Sequence, residues 1–296
     1  MDLSSLNIFR TVVSENGVTR AAVKLNRVQS NVTTRIRQLE EDLGAALFTR
    51  DGRRLVLTPA GSTLLPYAER LLALADEARH AITEERPHGR LRLGTMESTA
   101  ASRLPSALAR YHQRWPDVTL ELVTGVTQSL IESVKNFTVD TALIARPPEA
   151  NALPSDQFDS VVVFSEELVL ISPRGQRPVA TARDIAGNTL VAFAHGCAYR
   201  TYAARWYEAQ GVRPARVLEL GSYHAIVACV AAGAGVAVVP RSVLNLAHTG
   251  DDIALHPLGA IGKIDTLLIW RPGHCSAALN ALRELLSAEG TLPVRQ

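Results

Sequence analysis

A small all-α amino-terminal domain followed by a larger α/β domain is the architecture that three features of the sequence predict. Up to about residue 48 the apolar positions recur at three- and four-residue spacing, the period of amphipathic helices. From Arg90 onward, short apolar runs alternate with helical stretches, the texture of strands covered by helices. The chain has 296 residues, 47% of them hydrophobic, a length that suits roughly two domains.

Taken in order, the amino-terminal domain reads as three helices and a hairpin. Leu3, Leu6, Phe9, Val12 and Val13 share a helical face that stops near Asn16-Gly17. Val18 to Leu25 forms a second, two-turn helix with Ala21, Ala22 and Leu25 inward, and Asn26-Arg27-Val28 is a polar break. Gln29 to Leu43 forms a third helix with Val32, Ile36, Leu39 and Leu43 on one face. Gly44 supplies a left-handed stop, after which Leu47 and Phe48 return to the core. Arg50-Asp51-Gly52-Arg53-Arg54 contains the Asp-Gly hairpin signal, and Leu55-Val56-Leu57 closes that hairpin. Two helices across a short turn, then a basic hairpin, describe a winged helix-turn-helix over residues 1–58.

Residues 59–88 read as a connecting helix and hinge. Thr58-Pro59 pairs an N-cap with proline at the first helical position, and the helix is predicted to reach about Glu85. Leu64, Ala68, Leu71, Ala75, Ala78 and Ile82 alternate steps of four and three, the spacing of a helix that pairs with another. The alternative is a helix packed on its own domain. Pro66 predicts a kink or a delayed start, and Glu84 to Gly89 reads as a hinge.

Strands are predicted at Leu91–Thr95, Val118–Val123, Thr141–Ala145, Glu167–Ser172, Leu190–Phe193, Val217–Leu220, Val236–Val239 and Leu267–Trp270. Helices are predicted at Ala100–Arg114, Gln128–Asn136, Tyr199–Gln210, Ala225–Ala232 and Ser276–Ala288. This alternation implies mostly parallel sheets. Residues 89–296 are read as two lobes with a cleft between them, lobe I over about 89–162 and 267–296, lobe II over about 163–266.

Composition narrows the function classes. No apolar run reaches the roughly 18 residues a membrane-spanning helix needs. The Met1-Asp2-Leu3 start lacks a basic region followed by an apolar core, so a cytoplasmic location is expected. Cys197, Cys229 and Cys275 are odd in number and far apart, which makes neither a disulfide framework nor a paired metal site. Residues 1–58 carry a net charge of +3 and the remainder −1, a mild basic excess that suits a polyanion partner and a solvated surface equally.

The stretch Ala21-Ala22, Leu25, Val28-Gln29-Ser30-Asn31-Val32-Thr33, Ile36-Arg37-Gln38-Leu39-Glu40, Leu43-Gly44, Leu47-Phe48, Arg50 and Leu57-Thr58-Pro59-Ala60-Gly61 resembles the DNA-binding half of LysR-type transcriptional regulators. It covers about 60 residues with many ordered landmarks. The resemblance implies a dimerising linker helix and a carboxy-terminal domain similar to two-lobed periplasmic solute-binding proteins. Double-stranded DNA, a small-molecule effector, RNA polymerase and further copies of the chain, as a homodimer or homotetramer, are the partners it implies. No cofactor is expected.

A recognition helix needs an apolar inner face and polar side chains that reach base edges or phosphates. Gln29, Ser30, Thr33 and Thr34 lie near the start of the third helix, opposite Val32 and Ile36. Glutamine can pair bidentately with adenine, and the hydroxyls can meet base or phosphate. Arg35 and Arg37 are candidate backbone clamps, and Arg50, Arg53 and Arg54 on the wing suit phosphates or a minor groove. The family places Ser then Arg where this chain has Thr33-Thr34. Solvated helix residues are the competing explanation for each of these taken singly.

For the effector, Ser98-Thr99 follows the first strand, Thr127 the second and Ser222 the strand ending at Leu220. Hydroxyls and backbone N–H groups at helix starts outside strand carboxyl ends make carboxylate sites; simple N-capping explains any one of them as well. In the family, residues at such positions bind small effectors, often anionic metabolites. Ala194-His195-Gly196-Cys197-Ala198-Tyr199-Arg200 resembles the Gly-Cys-x-Tyr-Arg pattern of one subgroup and offers amides, His195 and Arg200 across the cleft. Cys197 also suggests a redox sensor, since thiol pKa values fall at helix N-termini; with no second cysteine nearby, packing is favoured.

An enzyme is disfavoured. No GxSxG elbow, HExxH or P-loop occurs, and Gly233-Ala234-Gly235 lies between a helix and a strand, the reverse of the order a dinucleotide site needs. The expectation is a ligand-responsive, DNA-binding transcription regulator.

Overall fold

The computed structural model describes all residues except 53, 84–85, 149–152, 186, 247–251, 275 and 291–296, and only the backbone at 54, 77, 80–83 and 289–290. Arg53, Glu84, Glu85 and Cys275 therefore lie outside the described residues. The chain divides into two units, the first built on Met1–Thr83.

In the first unit, α1 (Leu3–Ser14), α2 (Val18–Lys24) and α3 (Gln29–Leu43) pack around Leu6, Phe9, Val12, Ala21, Val32, Ile36 and Leu39. Asp2 caps α1 by accepting from the Ser5 N–H at 2.9 Å. Gly44, at φ +64, ends α3 in the left-handed conformation that costs glycine least. Leu43, expected on the inner face, is exposed because the last turn runs past the core. The wing is the antiparallel pair β1 (Phe48–Asp51) and β2 (Arg54–Leu57). Glu40 fixes its base by accepting from the N–H groups of Leu47, at 2.7 Å, and Phe48, at 3.2 Å.

Thr58 caps α4 (Pro59–Thr83), its hydroxyl accepting from Gly61 N–H at 3.0 Å. The helix starts at Pro59 and runs through Pro66, so the expected delayed start does not occur. Its apolar residues serve two faces. Leu64, Ala68 and Leu72 pack on the first unit's own core. Tyr67, Leu71 and Leu74 remain 56%, 39% and 50% exposed. The six-residue heptad read from sequence is thus divided: Leu64 and Ala68 face inward, whereas Leu71 and Ala78 face solvent.

The second unit contains two lobes. In lobe I the order is β4 (Val118–Thr124), β3 (Gly89–Thr95), β5 (Thr141–Ala145), β11 (Lys263–Trp270) and the first part of β6 (Asp159–Pro173). The lobe I helices are α5 (Glu97–Ser102), α6 (Leu104–Arg114), α7 (Thr127–Lys135) and α11 (Ala277–Gly290). In lobe II the rest of β6 lies between β9 (Ala237–Pro240) and β10 (Ile253–Pro257). A parallel bridge between Leu190 and Val236 links β7 (Thr189–Phe193) to the β9 end of this sheet, and β8 (Arg216–Leu220) pairs with β7. Helices α8 (Ala198–Glu208), α9 (Tyr223–Ala231) and α10 (Arg241–Leu244) complete lobe II.

The sheets are mixed rather than mostly parallel. β3 runs parallel to β4 and β5, and β7 to β8, but every pairing of β6 and β11 is antiparallel. A parallel pair needs a long crossover, and between β10 and β11 the chain has only the one-turn 3-10 helix Gly259–Gly262. β6 also changes partners, from β11 up to Glu167 to β9 and β10 from Leu168 onward. Lobe I pairing therefore extends to Glu167 and resumes at Lys263, a few residues from the changeovers near 162 and 267 read from sequence. The expected helix Ala100–Arg114 is broken at Arg103, because Pro105 has no N–H to continue it. Among the described residues, no helix is long and apolar enough to cross a membrane.

Candidate nucleic-acid interface and ligand cleft

Burial of Val32, Ile36 and Leu39 turns the opposite side of α3 outward. A groove of about 620 Å³ runs between α2, α3 and the wing, and Gln29, Thr33, Arg37 and Arg50 line it together. Thr19 and Arg20, at the start of α2, line the same groove. The Thr19 hydroxyl donates to Gln29 Oε1 at 3.4 Å, and the Thr33 hydroxyl to the Gln29 carbonyl at 3.0 Å. Ser30 and Thr34 are exposed on the neighbouring strip of α3, outside the groove lining. Arg35 lies apart: its guanidinium is 3.7 Å from Asp2, on the side of α3 turned from Thr33 by the helical period. Arg53 is outside the described residues, and Arg54 is described in backbone only, in β2.

In the second unit, helix starts from both lobes meet. Thr127 opens α7 and Cys197 caps α8, each after a strand of its own lobe. A cavity of about 560 Å³ is lined by Thr127 and Gln128 from lobe I and by His195, Gly196, Cys197 and Arg200 from lobe II. The Arg200 guanidinium is partnered within lobe II, by the Phe193 carbonyl at 3.1 Å and Glu219 at 2.5 Å. Ser98 and Thr99 lie in the first turn of α5, both buried, and do not line this cavity. Ser222, capping α9, also stays out of it; its hydroxyl points to Glu97 Oε1 at 3.4 Å.

Next to this cavity is a space of about 10 Å³, one water in size, bounded by Met96, Glu97, Thr127, Phe193, Cys197 and Tyr223. The Thr127 hydroxyl contacts Met96 Sδ at 3.7 Å, and Cys197 Sγ lies 3.6 Å from the Tyr223 hydroxyl. Burial pushes the Cys197 thiol pKa up, outweighing the lowering effect of its position at a helix start. That shift opposes the reactive thiolate a redox sensor needs. Among the described residues, no group of three His, Cys, Asp or Glu could hold a metal ion.

The comparisons follow the same division. Residues 3–62 match the family described as bacterial regulatory helix-turn-helix protein, lysR family, and residues 84–291 match the LysR substrate binding domain. The chain belongs to the LysR family of transcriptional regulators. It is similar to the HTH-type transcriptional regulator GltR of Bacillus subtilis, 38% identical over 82% of this chain and 81% of that protein. SoxR of an Arthrobacter strain is 33% identical over 99% of this chain and 98% of its own length. Among solved structures, a full-length OxyR variant from Pseudomonas aeruginosa matches with a TM-score of 0.71 at 21% identity, covering 99% of this chain and 96% of that one. CbnR complexed with its target DNA matches with a TM-score of 0.69 at 23% identity, covering 98% of this chain and all of that one, 100%. At such identities these two likenesses show the shared fold.

In this LysR regulator, the structure brings Gln29, Thr33, Arg37 and Arg50 into one groove and Thr127, His195, Gly196, Cys197 and Arg200 into one cavity. Sequence reasoning missed Thr19, Arg20 and Glu97. A polar pair opening the first helix of a helix-turn-helix was a usable signal for Thr19 and Arg20, because that helix crosses the DNA backbone. Glu97 gave no such signal, since an acidic residue at a helix start reads as dipole complement.

Proposed function

We propose that this regulator reads operator DNA with the α3–wing groove and senses a small, carboxylate-bearing metabolite between its two α/β lobes. Gln29, Ser30, Thr33 and Thr34 face base edges; Arg37, Arg50, Arg53 and Arg54 meet phosphates or the minor groove, with Arg20 added on α2. Arg35, turned to Asp2, leaves that set. The observation that carries the reading is the convergence of Gln29, Thr33, Arg37 and Arg50 on one open groove.

Two such grooves are needed for a palindromic site, and the exposed stripe Tyr67, Leu71, Leu74 on α4 supports a homodimer. A homotetramer of two dimers, and RNA polymerase as the partner that receives the signal, complete the proposal, in the cytoplasm. Thr127 with the His195–Arg200 segment forms the effector seat, and Ser98, Thr99 and Ser222 stay outside its lining. Neither a catalytic step nor a cofactor enters this reading.

Fluorescence anisotropy of the full chain against promoter fragments and scrambled duplex tests the DNA half. Preference for a promoter fragment at moderate salt supports it; equal affinity for both sinks it. A thermal-shift screen of small carboxylates, amino acids and aromatic acids tests the other half. A true effector in large excess stabilises by about 2–4 kcal/mol.

A further inference from the structure

The head of α3 is held by a neighbour on α2. Ala21 and Ala22 of α2 are buried, and their small side chains let α3 pack close, with Val32 in the same core. Asn26, at φ +51, turns the chain between the two helices in a left-handed step that asparagine tolerates. Thr19, 10 residues ahead of Gln29 in sequence, is thereby set beside it, and its hydroxyl donates to Gln29 Oε1 at 3.4 Å.

Both side chains are exposed and both line the α3–wing groove. An exposed hydrogen bond between neutral groups adds little to folding, because water serves either partner as well. Its consequence lies in the geometry of the amide. Glutamine is long and rotamer-rich, and ordering it on a base is costly unless it is ordered beforehand. The amide carries two acceptor lone pairs on Oε1 and two N–H donors. Thr19 takes one lone pair; the other and both N–H groups stay open to the groove. Adenine offers a donor at N6 and an acceptor at N7 in the major groove, and needs one of each. Thr33, the other hydroxyl beside Gln29, does not hold the amide, since its proton goes to the Gln29 main-chain carbonyl at 3.0 Å.

We propose that Thr19 is a positioning residue that sets sequence specificity without touching a base: it holds the Gln29 amide for adenine. Base preference at one position of each half-site then depends on α2 as well as α3. Once DNA covers the groove, water no longer competes for either partner, and loss of the hydroxyl leaves Oε1 short of a donor inside the interface. The competing role for Thr19 is a direct bond to a phosphate, which favours every sequence alike. This inference rests on Gln29 reading a base.

The test is selection from a randomised duplex library by the full-length chain, with the bound fraction sequenced, then anisotropy on the selected duplex and a scrambled one. The parent chain selects adenine at a position that Gln29→Ala leaves open. Thr19→Val, nearly isosteric, loses preference at that same position, weakens the selected duplex about two- to tenfold and leaves scrambled duplex unchanged. Thr19→Ser keeps the hydroxyl and retains the preference. In a Gln29→Ala background Thr19→Val adds nothing, because a positioning residue acts only through the group it positions. Equal weakening of both duplexes makes Thr19 a phosphate contact and overturns the proposal. Additive losses in the double variant, or a base other than adenine at that position, overturn it as well. If Gln29→Ala opens one position and Thr19→Val does not, the positioning role falls while the reading of Gln29 stands. A selected sequence unchanged in Gln29→Ala overturns both.

Discussion

The backbone N–H of Gln128 donates to the Gly196 carbonyl at 3.2 Å, tying the first turn of α7 in lobe I to the loop ahead of α8 in lobe II. Gly196 sits at φ +87, and a Cβ there would lie 3.1 Å from Val126 Cγ2 and 3.2 Å from Gln128 Cβ. Gly196→Ala therefore strains a left-handed backbone, by about 1–2 kcal/mol, and also crowds lobe I. Effector affinity should fall roughly tenfold or more, since about 1.4 kcal/mol is a factor of ten, while operator affinity without effector holds. Calorimetry paired with anisotropy measures both, and an unchanged ligand titration would detach this contact from lobe closure.

The α3–wing groove predicts a division of labour. Arg37→Ala or Arg50→Ala should weaken promoter and random duplex alike and reduce the salt slope by about one. Gln29→Ala should instead cost about 1–3 kcal/mol on the promoter only, relaxing preference at one base pair. Anisotropy across a salt series decides it; identical profiles for arginine and glutamine variants reject the assignment.

Leu71 and Leu74 are large apolar side chains left in water on α4 while Ala68 and Leu72 hold the helix to its own core. Leu74→Glu should dissociate the proposed dimer without melting the first unit, as a charge on the pairing face is left unpartnered. Sedimentation velocity reads the loss, and a variant that still sediments as a dimer removes α4 from the interface.

His256 predicts a pH dependence. Its Nδ1 accepts from the Val179 N–H at 3.2 Å, and its Nε2 lies 2.9 Å from Ser172 Oγ. Burial holds the imidazole pKa below its ordinary 6.5. As pH falls, the unfolded chain therefore takes up this proton first. The stabilisation is complete above about pH 6.5 and is lost as pH drops from there toward the folded value. Thermal melts from about pH 8 to pH 5 should show a shallower decline for His256→Gln than for the parent chain; superimposable slopes would assign the effect elsewhere.

Local pattern was legible in the sequence where local forces decide it. The limits of α3, Gln29 and Leu43, follow from its apolar period and Gly44, and the Thr58–Pro59 start of α4 from capping chemistry. Strand direction was not legible. β6, Asp159–Pro173, runs in both lobes and looks from sequence like a six-residue strand, because Ser165-Glu166-Glu167 interrupt its apolar residues between Phe164 and Leu168. The site divides the same way. Thr127 and the His195–Arg200 segment could be found from their places after strands, whereas Glu97 and Glu166 are ordinary acids until their surroundings are known.

By itself, the sequence determined the helix-turn-helix, the wing, the connecting helix and the α/β alternation, since periodicity, caps and turn residues act over a few positions. Only the tertiary structure decided which face of α4 stays in water, how β6 crosses between lobes, and that Ser98, Glu166, Thr266 and Tyr199 share one buried place. The reason is physical: burial and hydrogen-bond satisfaction depend on neighbours distant along the chain, and no local pattern encodes which neighbour arrives.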